Sequence, residues 1–172
     1  MRKLTVAIVA LLSATFVGAA EDPKANIRAD FDRAVQAVAA GDAEAILDGT
    51  YPGLVQLVGG RDAMRSIVLE NLKDLERRGL VVVGTEIVSI SDPLQAGEEL
   101  HAVVRAKRTL KGDGGKQVQD TFMIAISGDG GTKWTFVDGR PLTPKHIKAL
   151  FPDFNDALEI PKTGATGIQR KD

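Results

Sequence analysis

The chain lacks cysteine entirely, which excludes disulfide bridges and thiol chemistry. Aromatic residues make up only 5% of the 172 residues, so valine, isoleucine, leucine and alanine must build most of the core. The only two histidines, His101 and His146, are far apart in the sequence, so no metal site is predicted. Both are expected at the surface, and no cofactor is predicted. The charge is nearly balanced, at a formal −1, and we therefore expect no nucleic-acid binding.

The first 20 residues have the composition of a secretory signal peptide. Arg2 and Lys3 form a short basic region, and the apolar run LTVAIVALLSATFVG that follows is short for a bilayer span. Small residues then precede a polar start, which predicts cleavage after Ala19 or Ala20. We expect an exported protein, periplasmic or secreted, with no stable membrane span after cleavage. An uncleaved N-terminal anchor is the alternative.

Helices are predicted in the first half of the mature chain. Apolar residues recur at spacings of three and four in two long segments, 24–40 and 62–78, as on one face of a helix. Between them, Asp42 begins a short helix that Gly49 ends. The following Pro52–Gly53 pair is typical of a turn.

Strands are predicted in the second half, where β-branched residues and alternating patterns dominate. The predicted strands cover residues 80–91, 99–111, 116–127 and 132–139. The loops GDGGK and GDGGT join the last three as tight hairpins. A short helix is expected near residues 144–150, with Thr143 as its N-cap and Pro144 at its first position, and residues 160–172 are expected to form a flexible polar tail.

Pairing apolar with apolar residues predicts the register of these strands. In this register Arg108 and Arg140 both lie opposite Asp120, while Ala106 and Asp138 lie opposite Phe122. One sheet face is then apolar and carries Ala102, Val104, Ala106, Phe122, Ile124, Ile126, Trp134 and Phe136. The other face is expected to be solvated and carries His101, Arg105, Lys107, Gln117, Gln119, Lys133 and Thr135.

Helices followed by antiparallel strands predict an α+β fold with the helices against one face of a sheet of about four or more strands. The segments AGDAEAI, GGRDAMRSIV and WTFVDG occur in this order, and the chain resembles the nuclear-transport-factor-2-like superfamily, which includes ketosteroid isomerase and the SnoaL-like polyketide cyclases. The resemblance covers about residues 25–150 and implies a cone-shaped domain at residues 24–155, in which a curved sheet leaves a pocket beneath the helices. Catalytic members place an Asp, His or Tyr in that pocket, but the fold alone does not define a function.

Polar residues on the predicted apolar face mark a candidate site. Arg108, Asp120, Asp138 and Arg140 are expected at one end of the sheet, at the mouth of the pocket. Asp120 or Asp138 is then a candidate catalytic base, and Tyr51, the only tyrosine, is a candidate hydrogen-bond donor. The structural alternative is that the same charges form cross-strand ion pairs. The residues expected to line the pocket or bind a ligand are Tyr51, Phe122, Trp134, Phe136, Arg108 and Arg140.

Three functions remain open at this point. The first is an exported, non-catalytic domain that binds a small apolar ligand or a protein partner. The second is a small cofactor-free lyase, isomerase or hydrolase that acts on an apolar substrate with an Asp base. The third is homodimerisation through the outer sheet face, with the contact residues Arg105, Gln119, Thr121 and Met123.

Overall fold

A computed structural model describes residues 22–161 and 169–171. The predicted signal peptide lies outside the described residues. The helices are α1 (Pro23–Ala40), α2 (Ala43–Asp48), α3 (Pro52–Leu57), α4 (Arg61–Arg77) and α5 (Pro144–Leu150). The strands are β1 (Val81–Ile90), β2 (Leu94–Ala96), β3 (Glu99–Gly112), β4 (Gly115–Ser127), β5 (Thr135–Asp138) and β6 (Gln169–Lys171). This order of helices before an antiparallel sheet confirms the predicted α+β fold.

The helix ends follow from local chemistry. The side chain of Asp22 accepts the N–H of Lys24 at 3.0 Å at the start of α1, and Gly41 ends that helix with φ at 66°. Thr143 and His146 cap the start of α5 reciprocally, which confirms the predicted N-cap. Helix α3 was predicted as a turn, and that prediction is wrong. Pro52 fits the first position of a helix, and the apolar residues behind it pack against neighbouring helices.

The sheet has the order β1-β3-β4-β5, with β2 beside β3 and β6 beside β4. Strand β5 is shorter than predicted, since Trp134 lies just before it. Strand β6 pairs with residues 116–118 of β4, and residues 162–168 and 172 of the predicted flexible tail lie outside the described residues. Two bulges interrupt the pairing of β1 with β3, near Val83 and Val88, and bulges of this kind bend a strand.

The register of β3 and β4 is one residue away from the predicted one. Gly112 pairs with Gly115, so only two residues form the tip of the hairpin. Arg105 therefore lies opposite Phe122, although the apolar pattern argued against that pairing. Gly115 has φ at 94°, in the region that favours glycine, and this glycine lets the tight turn close in the observed register. The next hairpin is shifted as well, and Met123 rather than Phe122 lies opposite Asp138.

Both faces of the central strands are buried, which explains why the apolar pattern gave the wrong register. The face that we call the helical face packs under Ile27 and Phe31 of α1, and its members are Ala102, Val104, Ala106, Ala125, Trp134 and Phe136. The opposite face, here the C-terminal face, packs under α5 and the chain after it, and its members are Val103, Phe122, Ile124, Ile126 and Val137. A sheet with two buried faces has no polar face to set its register.

Two predictions about the outer side of the sheet are wrong, one because of the segment that covers the C-terminal face and one because of the register. His101 was expected at the surface but is 1% exposed, because Phe151 and the residues around it lie over it. The dimer surface was expected to combine Arg105, Gln119, Thr121 and Met123. Because side chains alternate along a strand, Thr121 and Met123 lie on the helical face and Arg105 on the C-terminal face, so these residues do not form one surface.

Asp30 of α1 fastens this helix to the start of β5. Its carboxylate is 7% exposed, accepts the backbone N–H of Trp134 at 2.7 Å and forms an ion pair with Arg33. The indole N–H of Trp134 donates to the carbonyl of Gly131 at 2.9 Å. The buried tryptophan is therefore held by its backbone and its ring.

Replacing Asp30 should destabilise the protein through Trp134. We expect Asp30→Ala to lower the free energy of unfolding by about 1–3 kcal/mol, because the buried Trp134 amide loses its acceptor. Urea denaturation followed by tryptophan fluorescence measures the change. Asp32→Ala, in the same helix but exposed, is the control and should stay within about 0.5 kcal/mol of the parent. Equal losses in the two variants would contradict this role for Asp30.

Candidate functional site

The structure brings together three of the four charged residues that were predicted to cluster. Arg108 of β3, Asp138 of β5 and the following Arg140 lie on the helical face at one end of the sheet. Asp120 does not join them. It is exposed, lies opposite Lys107 and points to the other face, since its position alternates with that of Thr121.

Asp138 is already engaged in an ion pair. Arg140 donates to it through Nη2 at 2.6 Å and Nε at 3.1 Å, and the Arg140 backbone N–H donates at 3.0 Å. The hydrogen bond to Asp138 raises the pKa of Arg140, with burial opposing and the charge of Asp138 adding to this effect. A carboxylate in such a bidentate pair is poorly suited to act as a base.

Arg108 has no such partner. Burial lowers the pKa of its guanidinium, the positive charge of Arg140 lowers it further, and the charge of Asp138 acts in the opposite direction. Its Nε is buried without a hydrogen-bond partner among the described residues, and so is the Oγ1 of Thr121 on the neighbouring strand. The cluster thus holds two guanidinium groups for one carboxylate.

Tyr51, Glu99 and His101 form a second polar cluster, on the C-terminal face. This cluster was not predicted from the sequence. The Tyr51 hydroxyl donates to Glu99 Oε1 at 3.0 Å, and His101 Nε2 lies 3.0 Å from Glu99 Oε2. Glu99 and His101 are two positions apart on β3 and therefore share a face. That alternation was the available signal, but the side chain of Tyr51 comes from a distant part of the sequence.

Backbone pairing places Tyr51 at this site. The N–H of Tyr51 donates to the carbonyl of Phe136 at 3.1 Å, and the N–H of Phe136 donates to the carbonyl of Gly49 at 2.8 Å. The segment before α3 therefore runs parallel to β5 and adds to the edge of the sheet. Tyr51 was predicted to contribute to a pocket from the helical side, and its ring instead lies 5.3 Å from that of Phe151 on the C-terminal face.

Charge and burial keep Tyr51 neutral. Burial, the hydrogen bond to Glu99 and the charge of Glu99 together raise the pKa of Tyr51 to about 12. The hydroxyl therefore acts as a hydrogen-bond donor at neutral pH rather than as a base. His101 Nδ1 has no partner within residues 22–161, and the rings of Phe151 and Phe154 lie 4.9 Å and 6.0 Å from the imidazole. An aromatic layer thus covers the histidine.

An apolar groove lies beside this aromatic layer. It has a volume of about 800 Å³ and is formed by α5 and residues 151–161. Its apolar lining consists of Leu142, Pro144, Ile147, Phe151, Pro152, Phe154, Leu158, Ile160 and Pro161. The charged residues of the lining are Lys148, Asp156 and Glu159. The Tyr51–Glu99–His101 cluster packs behind Phe151 and so supports the lining from within the protein.

The residues predicted to line one pocket are divided between the two sheet faces. Phe122 belongs to the buried cluster of the C-terminal face, together with Ile147 and Phe151. Trp134 and Phe136 are buried against α1 on the helical face. The one-residue change of register causes this separation, because it moves Phe122 to the opposite side of the sheet from Phe136.

The titration of Tyr51 tests the second cluster. Because Tyr51 is the only tyrosine, the phenolate absorbance of the folded protein reports on it alone, and we expect a midpoint near pH 12. Below the unfolded pKa of about 10 its contribution to stability is complete, and it is lost as the pH rises towards 12. Tyr51→Phe should remove this part of the alkaline loss of stability.

Glu99→Gln should lower the midpoint of that titration, because the negative charge beside the phenol is removed. Glu98→Gln, at the exposed neighbouring position, is the matched control and should leave the midpoint unchanged. A midpoint near 10 in the folded parent protein, or equal shifts in the two variants, would contradict the arrangement.

The comparison with known proteins places the chain in no family, since no protein-family model and no curated protein matches it. Among the described residues, no group of three or more His, Cys, Asp and Glu side chains is arranged to hold a metal ion. None of the described helices is long and apolar enough to cross a membrane.

Proposed function

We propose that the protein is an exported, non-catalytic binding protein that holds a small apolar ligand in the groove formed by α5 and residues 151–161. The groove itself carries this proposal. Its volume of about 800 Å³ and its mainly apolar lining are typical of small-molecule sites, which hold few polar groups. Export rests on the predicted signal peptide, and the resemblance to the nuclear-transport-factor-2-like superfamily remains a prediction.

The surroundings of the candidate catalytic residues favour binding over catalysis. Asp138, a candidate base, is paired with Arg140 through both of its oxygens. Tyr51, the candidate assisting residue, donates to Glu99 and has a pKa raised to about 12. A general base must lie where it can reach the bound substrate. His101 is 1% exposed, and Asp120, the other candidate base, is exposed but does not line the groove.

The location of the groove differs from the site that the family resemblance implies. That resemblance predicts a pocket between the helices and the sheet, whereas the groove lies on the C-terminal face. Phe151 both lines the groove and belongs to the buried cluster around Phe122, so it connects the groove with the core of the C-terminal face. A ligand in the groove would therefore rest on the C-terminal part of the core.

Binding of a neutral apolar probe tests the proposal. N-phenyl-1-naphthylamine, which gains fluorescence in apolar surroundings, should show saturable binding to the protein without the predicted signal peptide. Ile160→Asp should weaken binding about tenfold or more, equivalent to about 1.4 kcal/mol, because it places a charge in the groove. Val88→Asp, at a position 58% exposed on β1, is the control and should bind as the parent does.

A thermal-shift screen with sterols, terpenoids and lipids then identifies the class of ligand, because a ligand that binds only the folded state raises the melting temperature. Absence of saturable probe binding, or equal binding by the two variants, would contradict the groove as the site.

A further inference from the structure

Two buried polar atoms without hydrogen-bond partners in the described chain belong to side chains at neighbouring positions of the helical face. Arg108 of β3 is opposite Gln119, and Thr121 is two residues further along the same partner strand. The two side chains are therefore diagonal neighbours, a spacing that a long side chain can bridge. Thr121 is 6% exposed, and its Oγ1 and the Arg108 Nε are both buried.

No nearby carboxylate is free to pair with the guanidinium of Arg108. A guanidinium stays protonated in proteins, so burial does not neutralise it. Asp138 is the nearby carboxylate, but Arg140 occupies both of its oxygens. One carboxylate among two guanidinium groups leaves this end of the helical face with one excess positive charge.

Such an arrangement is costly for folding alone. Buried polar atoms are normally hydrogen-bonded, and a buried donor without an acceptor, such as the Arg108 Nε, destabilises the folded state. An apolar residue in place of Arg108 would avoid this cost. Violations of this kind are expected where a protein binds a ligand that completes the hydrogen bonding.

We propose that Arg108 and Thr121 bind the carboxylate group of a small organic acid. A guanidinium and a hydroxyl are both donors, and the planar guanidinium matches the two oxygens of a carboxylate. The single negative charge of a carboxylate balances the excess charge of the cluster, whereas a phosphate dianion would exceed it. This site lies on the opposite sheet face from the groove, so it goes beyond the proposed function and does not depend on it.

Nuclear magnetic resonance of the arginine Nε–H groups tests the site directly. Acetate should shift the Arg108 signal, identified by its loss in Arg108→Met, in a saturable way. Chloride should not do so, and neither should inorganic phosphate at the same ionic strength and at a pH where it is mostly the dianion. An equal response to phosphate would overturn the assignment to carboxylates, and no saturable response to acetate would overturn the site.

Substitutions distinguish an arginine that binds a ligand from one that only stabilises the fold. Arg108→Met should raise the melting temperature of the free protein and abolish any further rise on addition of acetate. Arg105→Met, on the opposite face and exposed, is the matched control and should keep the effect of acetate. A lower melting temperature or failure to fold in Arg108→Met would show that the cation is structural and overturn the proposal.

Thr121→Val removes the side-chain hydroxyl and preserves the shape of the side chain. Because the hydroxyl has no partner in the described chain, we expect no loss of melting temperature in the free protein. The acetate concentration at half-saturation should rise about tenfold, as expected for loss of one hydrogen bond of about 1.4 kcal/mol. Unchanged binding of acetate would remove Thr121 from the site. The neutral probe used for the groove should bind this variant as it binds the parent, so the two proposals fail independently.

Discussion

The tight hairpin between β3 and β4 is the constraint on which the rest of the structure depends. Gly112 and Gly115 pair, and this pairing sets the register of the two longest strands. Because side chains alternate between faces, the register decides that Phe122 lies on the C-terminal face and Thr121 on the helical face. The candidate sites on both sides of the sheet follow from this assignment.

The two faces are then covered by opposite ends of the domain. Helix α1 covers one face and is held there by the contact of Asp30 with Trp134. Helix α5 and the chain after it cover the other, where Phe151 packs against Tyr51 and His101. The two faces thus carry different features: a positively charged cluster at one end of the helical face and an apolar groove on the C-terminal face.

The charged residues on the two faces differ in their hydrogen-bond partners. The carboxylate of Glu99 is hydrogen-bonded to both Tyr51 and His101 and supports the aromatic layer, although His101 Nδ1 has no partner among the described residues. Arg108 is the opposite case, because its one nearby carboxylate is taken by Arg140. The charge of Glu99 thus has partners within its own cluster, whereas Arg108 has no carboxylate of its own, and this difference is the ground for the proposed ligand.

The sequence by itself determined the α+β class, most helix ends and most strands, because spacing of apolar residues and capping residues act over a few positions. It also placed Arg108, Asp138 and Arg140 at one end of the sheet. The tertiary structure alone decided the register, the burial of His101 and the partners of Tyr51 and Asp30. Tyr51 and Glu99 are 48 positions apart, and Asp30 and Trp134 are 104 apart. Contacts at such separations depend on which segment covers each sheet face, and local patterns do not contain that information.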